Sequence, residues 1–402
     1  MAKKLDEVGF QSTVADPDVW IRPAIKPDGS EYYEYVLCYV DDILAASVHA
    51  KDVLKSLEGG TVKYKNDIIE PPKMYLGAKL QLKEINGGRC WTITSLDYIN
   101  VAIKTIEEAL KNRPWKLPTK VTTPMVTNYY PELDDSPELE QKDIQFYQEM
   151  MGMLRWATEL GKVDVLHELS LLSQYQACPR QGHLEQALHI FAYLKKKPKT
   201  TLYLNPELPY IDYSEFTTKP DEFKEYYRDA EEELPYKMPR PRGEPVVTTA
   251  FCDSSYANNK KTRRSHTGYV IFVNRAPIKW KSRRQNTLET SAFSAEFIAL
   301  KECIEDVEAV RFKLRMFGIP LSEEHRATHI YCDNEGVVKN STKAESTLNK
   351  IYSEVAYHFT RWNVAAGICT LAWIESAYNL ADAFTKKLAA ATRDFLFGEW
   401  TY

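Results

Sequence analysis

Two apolar runs in the last third of the chain, residues 246–253 and 329–333, end in the aspartates Asp253 and Asp333. Each run predicts a strand that delivers a carboxylate to the edge of a sheet. Two further acidic residues, Glu296 and Asp382, stand where helical patterns begin. Carboxylates gathered in this way repel one another unless divalent cations neutralise them, and hard oxygen ligands suit Mg²⁺ or Mn²⁺. The pattern is typical of phosphodiester hydrolysis by two metal ions.

The predicted elements around these acids follow the order of an α/β fold with an antiparallel start. Three strands come first, then a long helix that ends before Gly318 and Pro320, then strands that alternate with helices. Strands are predicted at residues 246–253, 268–274, 277–281, 329–333 and 368–374, and helices at 294–317, through Tyr357 and His358, and from Leu380. We therefore expect a mixed, five-stranded sheet flanked by helices.

The composition is that of a soluble globular protein. At 402 residues, 44% hydrophobic and 27% charged, the chain has room for two or three domains. No stretch is long and apolar enough for a membrane span, and residues 1–4 lead into polar sequence instead of a signal peptide. We expect an intracellular protein of the cytoplasm or nucleus, without a membrane partner. Seven scattered cysteines lack a C-x-x-C pair, which argues against a disulfide framework and a zinc knuckle.

Residues 206–245, which we call the strap, differ in composition from their surroundings. They contain 11 acidic and 6 basic residues and seven prolines, as expected for a linker or a covering segment. Their aromatic residues, among them Phe216, Phe223 and Tyr227, are too many for a solvated tether, so we expect part of the strap to dock on a neighbour. Four segments are predicted, with boundaries at residues 1–115, 116–205, 206–245 and 246–402.

The motifs of the last segment point to one family. In order they are Phe251-Cys252-Asp253, Arg263-Arg264-Ser265-His266-Thr267-Gly268-Tyr269, Ile278-Lys279-Trp280, Ala295-Glu296-Phe297, Tyr331-Cys332-Asp333-Asn334 and Leu380-Ala381-Asp382. With them, residues 246–402 resemble the ribonuclease H domain of copia-type retrotransposon Pol polyproteins. The resemblance implies that Asp253, Glu296, Asp333 and Asp382 hold two Mg²⁺ or Mn²⁺ ions and cleave the RNA strand of an RNA–DNA hybrid.

The N-terminal part resembles the same polyprotein. Tyr39-Val40-Asp41-Asp42 is similar to the hairpin of a reverse transcriptase palm, which implies Asp41 and Asp42 as metal ligands. Residues 116–205 resemble the helical thumb and connection, so we expect an α+β N-terminal part. In the family, another palm aspartate and the nucleotide-binding fingers lie upstream of Met1. We therefore expect a C-terminal part of Pol without self-sufficient DNA synthesis, unless another chain supplies the missing upstream part.

Basic side chains close to the predicted acids are candidate phosphate contacts, although a solvated face is an equally good explanation of them. They are Lys260, Lys261, Arg263, Arg264, Lys279, Lys281, Arg283 and Arg284. Two departures from the family pattern, Ser255 and the pair Ile351-Tyr352, favour an alternative function. In that alternative the chain is a catalytically silent, nucleic-acid-binding remnant of a reverse transcriptase.

Overall fold

The structure, a computed structural model, describes residues 1–40, 42–58, 69–85, 88–347, 354–398 and 400–401. The chain divides into two compact units, each built from separate stretches of sequence. One unit contains Met1–Leu76, Glu232–Val247 and Asp306–Arg326, and the other contains Gly77–Glu231, Thr248–Glu305 and Ala327–Tyr402. The predicted segments, 1–115, 116–205, 206–245 and 246–402, stay a prediction.

The N-terminal stretch forms a four-stranded antiparallel sheet in sequence order, with a core of Leu5, Phe10, Trp20 and Val36. Its elements are α1 (Ala2–Glu7), β1 (Gln11–Ser12), β2 (Val19–Ile25), β3 (Glu31–Tyr39), β4 (Asp42–Ala46) and α2 (Ala50–Ser56), with a two-residue strand, β5 (Met74–Tyr75), further on. Strands β3 and β4 pair with each other in antiparallel register, and Tyr39 stands opposite Asp42. The hairpin predicted for the Tyr39 motif is confirmed.

The next stretch is mainly helical, as predicted for residues 116–205. Its elements are β6 (Ala78–Ile85), β7 (Gly88–Thr94), α3 (Leu96–Leu110), α4 (Gln141–Glu159), α5 (Leu166–Leu172), α6 (Gln181–Lys196), β8 (Thr201–Leu204) and α7 (Pro220–Phe223). The apolar faces of α3, α4 and α6 meet in one core that includes Ile99, Tyr147, Leu154, Leu188 and Phe191. Burial of such side chains stabilises a fold by about 1.5–3 kcal/mol each.

The C-terminal stretch contains the predicted mixed sheet, which is confirmed. Its elements are β9 (Thr248–Ser255), β10 (His266–Val273), β11 (Ala276–Arg284), α8 (Ala292–Met316), β12 (Thr328–Cys332), α9 (Glu335–Thr342), α10 (Glu354–Ala365), β13 (Cys369–Trp373) and α11 (Ala390–Gly398). The strand order is β11-β10-β9-β12-β13; β9, β10 and β11 pair antiparallel, whereas β12 runs parallel to β9 and β13.

The last predicted helix is wrong in one respect. A short 3₁₀ turn, Leu380–Phe384, stands where a helix was expected from Leu380, and α11 begins only at Ala390. The side chains of Thr385 and Lys386 bond to Asp253 and Asp382. These bonds hold the chain against the sheet, so that regular helix starts later.

The strap docks its aromatic residues, as expected. The ring of Phe216 lies 4.7 Å from that of His329 and 5.3 Å from that of Tyr331. Phe223 is fully buried, and the Arg361 guanidinium stands 5.0 Å from its ring. Residues of the strap are therefore part of a folded core and not a free tether.

Within the other compact unit, the strap residue Glu232 binds two arginines of α8. Its carboxylate accepts hydrogen bonds from Arg311, at 2.7 and 2.8 Å, and from Arg315. Burial alone would raise the pKa of Glu232, but the two arginines outweigh it and lower that pKa to about 2. The Arg311 side chain is only 1% exposed, so its ion pair with Glu232 is buried. Removing either partner would leave the other as an uncompensated buried charge.

Candidate metal centre

The four predicted carboxylates come from four different elements. Asp253 lies in β9, Glu296 in the first turns of α8, Asp333 directly after β12, and Asp382 in the 3₁₀ turn Leu380–Phe384. Strands β9 and β12 are parallel neighbours with Cys252 opposite Cys332. The residues that follow, Asp253 and Asp333, therefore reach the same edge of the sheet.

The structure brings all four together. Carboxylate oxygens of Asp253, Asp333 and Asp382 lie within 4.8 Å of one another. A second set, also within 4.8 Å, consists of a carboxylate oxygen of Glu296, one of Asp333 and the sulfur of Cys332. Asp333 is common to both groups. The four acids predicted from sequence thus form one cluster with two overlapping sets of ligand atoms.

Burial and mutual repulsion raise the affinity of this cluster for protons. Burial, followed by like charge, raises the pKa of Glu296 well above its ordinary value, and burial also raises the pKa of Asp253. The pKa of Asp382 rises to about 7, mainly through burial and then through the charge of Asp253. Without added positive charge, the cluster therefore tends to stay partly protonated at neutral pH.

Three neighbouring side chains stabilise the carboxylates, and one of them, Lys386, carries a positive charge. The Thr385 hydroxyl donates to Asp253, and the Lys386 ammonium lies 2.6 Å from an oxygen of Asp382 and 3.5 Å from one of Asp253. Ser376 donates to Asp333 at 2.7 Å. Glu296 has one carboxylate oxygen without such a contact, because its buried Oε2 has no hydrogen-bond partner among the described residues.

A divalent cation fits this site. The orphaned oxygen of Glu296 and the crowded carboxylates of Asp253, Asp333 and Asp382 are hard donors that Mg²⁺ or Mn²⁺ prefers. Cys332 is a poor ligand for these ions, since burial raises the pKa of its thiol well above the ordinary value and keeps it protonated.

Sequence reasoning missed the residues that support the cluster. Gly268 in β10 stands opposite Asp253, and a methyl group on it would lie 2.6 Å from Thr385 Cγ2 and 2.8 Å from Phe384 Cβ. The side chain of Asn379 donates a hydrogen bond to the carbonyl of Cys252 at 3.0 Å and accepts one from the backbone amide of Ala381 at 3.1 Å. Because an asparagine before a turn is a capping signal, the role of Asn379 could have been predicted from the sequence. The close approach at Gly268 involves residues far apart in the sequence and could not have been predicted.

The predicted basic residues are spread over two elements. Lys260, Lys261, Arg263 and Arg264 lie in the loop between β9 and β10, and Lys279, Lys281, Arg283 and Arg284 lie in β11. Of these eight, Lys260, Lys261, Arg263 and Lys279 are exposed. Lys281 and Arg283 stand 3.7 and 3.9 Å from Glu302 of α8, whereas Arg284 pairs across the strand with His266.

The second predicted metal site has one described member. Asp42 is exposed at the start of β4, and Asp41 lies outside the described residues, as does the pair Ile351-Tyr352. Asp42 belongs to neither of the ligand clusters found among the described residues. Its role in metal binding stays a prediction.

Comparisons with known proteins agree with the resemblance drawn from the motifs. The Pol polyprotein from transposon RE1 of Arabidopsis thaliana is 22% identical over 95% of this chain, which spans only 22% of that relative. The polyprotein from transposon TNT 1-94 of Nicotiana tabacum is 21% identical over 94% of the chain, covering 25% of its length. A putative transposon Ty5-1 protein of Saccharomyces cerevisiae is 26% identical over 68% of the chain and 73% of its own length.

Solved structures with partial similarity are ribonuclease H domains. LC11-RNase H1, in complex with an RNA/DNA hybrid, is 18% identical over 34% of this chain and 93% of its own, with a TM-score of 0.27. The N-terminal RNase H domain of a Mycobacterium tuberculosis protein is 14% identical over 38% of this chain and 96% of its own, with a TM-score of 0.26.

No protein-family model matches the sequence. Among the described residues, no helix combines the length and apolar character that crossing a membrane requires. The homologues of this chain are the retrovirus-related Pol polyproteins of copia-type transposons, which match 95% of its length.

Proposed function

We propose that this chain hydrolyses the RNA strand of RNA–DNA hybrids with two divalent cations held by Asp253, Glu296, Asp333 and Asp382. The observation that carries the proposal is the meeting of these four acids in two ligand sets that share Asp333. The relatives support the same direction, because they are retrovirus-related Pol polyproteins. The chain spans 22% and 25% of the length of these two relatives, so the activity is inferred for the matching part of Pol alone.

Mg²⁺ or Mn²⁺, when bound, would activate a water molecule and neutralise charge on the leaving oxygen. The residues of the chain prepare the ligands for this task. The parallel register of β9 and β12 holds Asp253 beside Asp333, and Ser376 orients the Asp333 carboxylate. Lys386 restrains Asp382, and Thr385 restrains Asp253. Ligands that are held in place lose little conformational entropy when a cation binds.

The exposed basic residues Lys260, Lys261, Arg263 and Lys279 are suited to phosphate contacts along the hybrid. Such contacts do not depend on base sequence, so the substrate would be recognised by backbone shape and by its 2′-hydroxyl groups. Binding should therefore weaken steeply with added salt.

The second candidate is a protein that binds nucleic acid without cleaving it. One observation favours it: Lys386 and Thr385 already bond to Asp253, so part of the cluster carries a counter-charge of its own. In that case the acids would serve the fold, and the basic residues alone would have a function.

A cleavage assay on the full chain tests both candidates. A labelled RNA–DNA hybrid is incubated in Mg²⁺, in Mn²⁺ and in EDTA with the wild type, with Asp333→Asn and with Asp229→Asn, a change at an exposed aspartate. We expect metal-dependent cutting of the RNA strand that Asp333→Asn abolishes and Asp229→Asn leaves intact. Binding without cutting would favour the silent remnant, and cutting that survives Asp333→Asn would refute the assigned site.

A further inference from the structure

A groove of about 690 Å³ with an aromatic floor lies on the C-terminal sheet, within one compact unit. The floor contains Phe251 of β9 and Tyr331 of β12, whose rings stack with 5.0 Å between their centres and 19° between their planes. Phe272 of β10 and Trp400 extend the floor, and their ring centres are 5.7 Å apart. The groove therefore offers a ligand a continuous set of ring surfaces.

Three further aromatic side chains line this groove and are exposed. Tyr210 of the strap is 94% exposed, and Trp373 and Tyr378 are about half exposed. Exposed aromatic rings gathered around one concave surface are typical of a surface that binds a partner. Their rings remain accessible to a ligand that gains free energy from aromatic contacts.

The charges around the groove are mainly negative. Asp212, Glu215 and Glu375 line it and are exposed, and none of them forms an ion pair with a residue that the structure describes. Arg275 is the one basic residue among the described lining residues, and it already pairs with Glu207 at 3.2 Å. The groove therefore has an excess of negative charge.

The two acids of the strap act on the aromatic floor. Burial, and then the charges of Glu215 and of further groups that include Asp212, raise the pKa of Tyr331 to about 12. The Tyr331 hydroxyl therefore stays neutral at pH 7, and the negative potential of the acids reaches its ring. The strap is fixed at this place by Phe216, whose ring lies 5.3 Å from that of Tyr331.

Aromatic rings beside unpaired carboxylates suit a cation. Surfaces that stack the bases of a nucleic-acid strand carry basic residues for its phosphates, whereas this groove carries acids. A guanidinium group meets both features, because it stacks on aromatic faces and forms paired hydrogen bonds with carboxylates. The volume of about 690 Å³ leaves room for the segment that bears such a group.

We propose that this groove binds an arginine-bearing segment of a partner protein. The guanidinium would stack on the ring of Tyr210 and pair with Asp212 or Glu215. The proposal goes beyond the proposed function, since it requires neither a metal ion nor cleavage. Phe251 of the groove and Asp253 of the carboxylate cluster are two residues apart on one face of β9. A partner held in the groove would therefore stand next to the carboxylate cluster.

The test measures binding of a labelled peptide to the full-length protein by fluorescence anisotropy. The peptide has four arginines separated by glycine and serine, and its control has citrulline in place of each arginine. Citrulline keeps the shape of the side chain and removes its charge. We expect saturable binding of the arginine peptide and at least about fivefold weaker binding of the citrulline peptide, because stacking on the rings and pairing with the acids both need the charge.

Two double variants test the acids of the groove. Asp212→Asn combined with Glu215→Gln should weaken binding of the arginine peptide at least about threefold. Glu225→Gln combined with Asp229→Asn removes the same charge from exposed positions elsewhere on the strap and should leave the affinity unchanged. All four positions are exposed, so both double variants should fold like the wild type.

Variants of Tyr210 test the aromatic contact. Tyr210→Ala should weaken binding at least about threefold, whereas Tyr210→Phe keeps the ring and should retain the affinity. Tyr236→Ala, at a strap residue that is 85% exposed, is the matched control and should have no effect.

Equal effects of the groove variants and their controls would overturn the inference, and so would the absence of saturable peptide binding. Equal affinities for the arginine and citrulline peptides would show that the charge is not recognised and would also refute it. Binding that Mg²⁺ abolishes, and that the change of Asp212 and Glu215 leaves intact, would assign the peptide to the carboxylate cluster instead. A dimer in sedimentation that Tyr210→Ala dissociates would assign the groove to a second copy of the chain and refute the proposal.

Discussion

Replacing Asp382 by asparagine is expected to stabilise the metal-free protein at pH 8. The pKa of this carboxyl is raised to about 7 by burial and by Asp253, against the attraction of Lys386. A carboxyl whose pKa is higher in the folded state than in the unfolded state binds more protons when folded. Its ionisation therefore lowers the free energy of unfolding as the pH rises from about 4 to about 7. Asparagine removes that cost and can still accept a hydrogen bond from Lys386.

The size of the effect follows from the shift. A rise from 3.8 to about 7 corresponds to about 4 kcal/mol at about 1.4 kcal/mol per pKa unit. The Asp382 side chain is 12% exposed, so solvent screening brings the expected gain to about 2–4 kcal/mol at pH 8. At pH 4.5 most of the penalty has not yet developed, and the gain should fall below about 1 kcal/mol.

Urea unfolding in EDTA at both pH values measures this difference for the wild type, Asp382→Asn and the exposed control Asp229→Asn. Mg²⁺ added at pH 8 should stabilise the wild type more than Asp382→Asn, because only the former keeps all four acids. A variant that is less stable than the wild type at pH 8, or a gain that does not depend on pH, would refute the electrostatic reasoning.

Three further changes test other contacts. Gly268→Ala should lower the free energy of unfolding in urea by about 1–3 kcal/mol, because its methyl group would meet Thr385 at 2.6 Å. The control Gly152→Ala in α4, where nothing lies within 4 Å, should leave the stability unchanged or raise it by up to about 1 kcal/mol. Equal losses of stability in the two variants would contradict this reasoning. Glu232→Gln should cost about 3 kcal/mol at pH 7, and the loss should shrink as the pH falls from about 4.5 to about 2, where wild-type Glu232 takes up a proton; a constant loss would exclude the ion pair as its cause. Asn379→Ala removes two buried hydrogen bonds, should cost about 2 kcal/mol, and should weaken Mg²⁺ binding in calorimetry; unchanged metal affinity would argue against its positioning of Asp382.

Local patterns predicted the cluster because its ligands lie at the ends of regular elements. Apolar runs that end in Asp253 and Asp333 define neighbouring strands, and helical periodicity locates Glu296 near the start of α8. The turn that carries Asp382 was predicted as a helix, because the pattern after Leu380 contains nothing that reports its bonds to the sheet.

Contacts between distant residues could not be predicted in the same way. Glu232 and Arg311 are 79 positions apart, and nothing in an acidic, proline-rich segment distinguishes a buried carboxylate from a solvated one. Lys386 could have been suspected, because it follows Asp382 by one helical turn. Its second contact, with Asp253, depends on the close approach that Gly268 permits.

The binding of Glu232 by arginines has a practical consequence for work on shorter pieces of the chain. A fragment that begins at residue 246 keeps Arg311, Arg315 and Arg326 but loses the carboxylate that all three face. Three uncompensated guanidinium groups would attract any polyanion, including heparin and random RNA. Hybrid binding by such a fragment would therefore overstate specificity, and retention of residues 232–247 would remove the artefact.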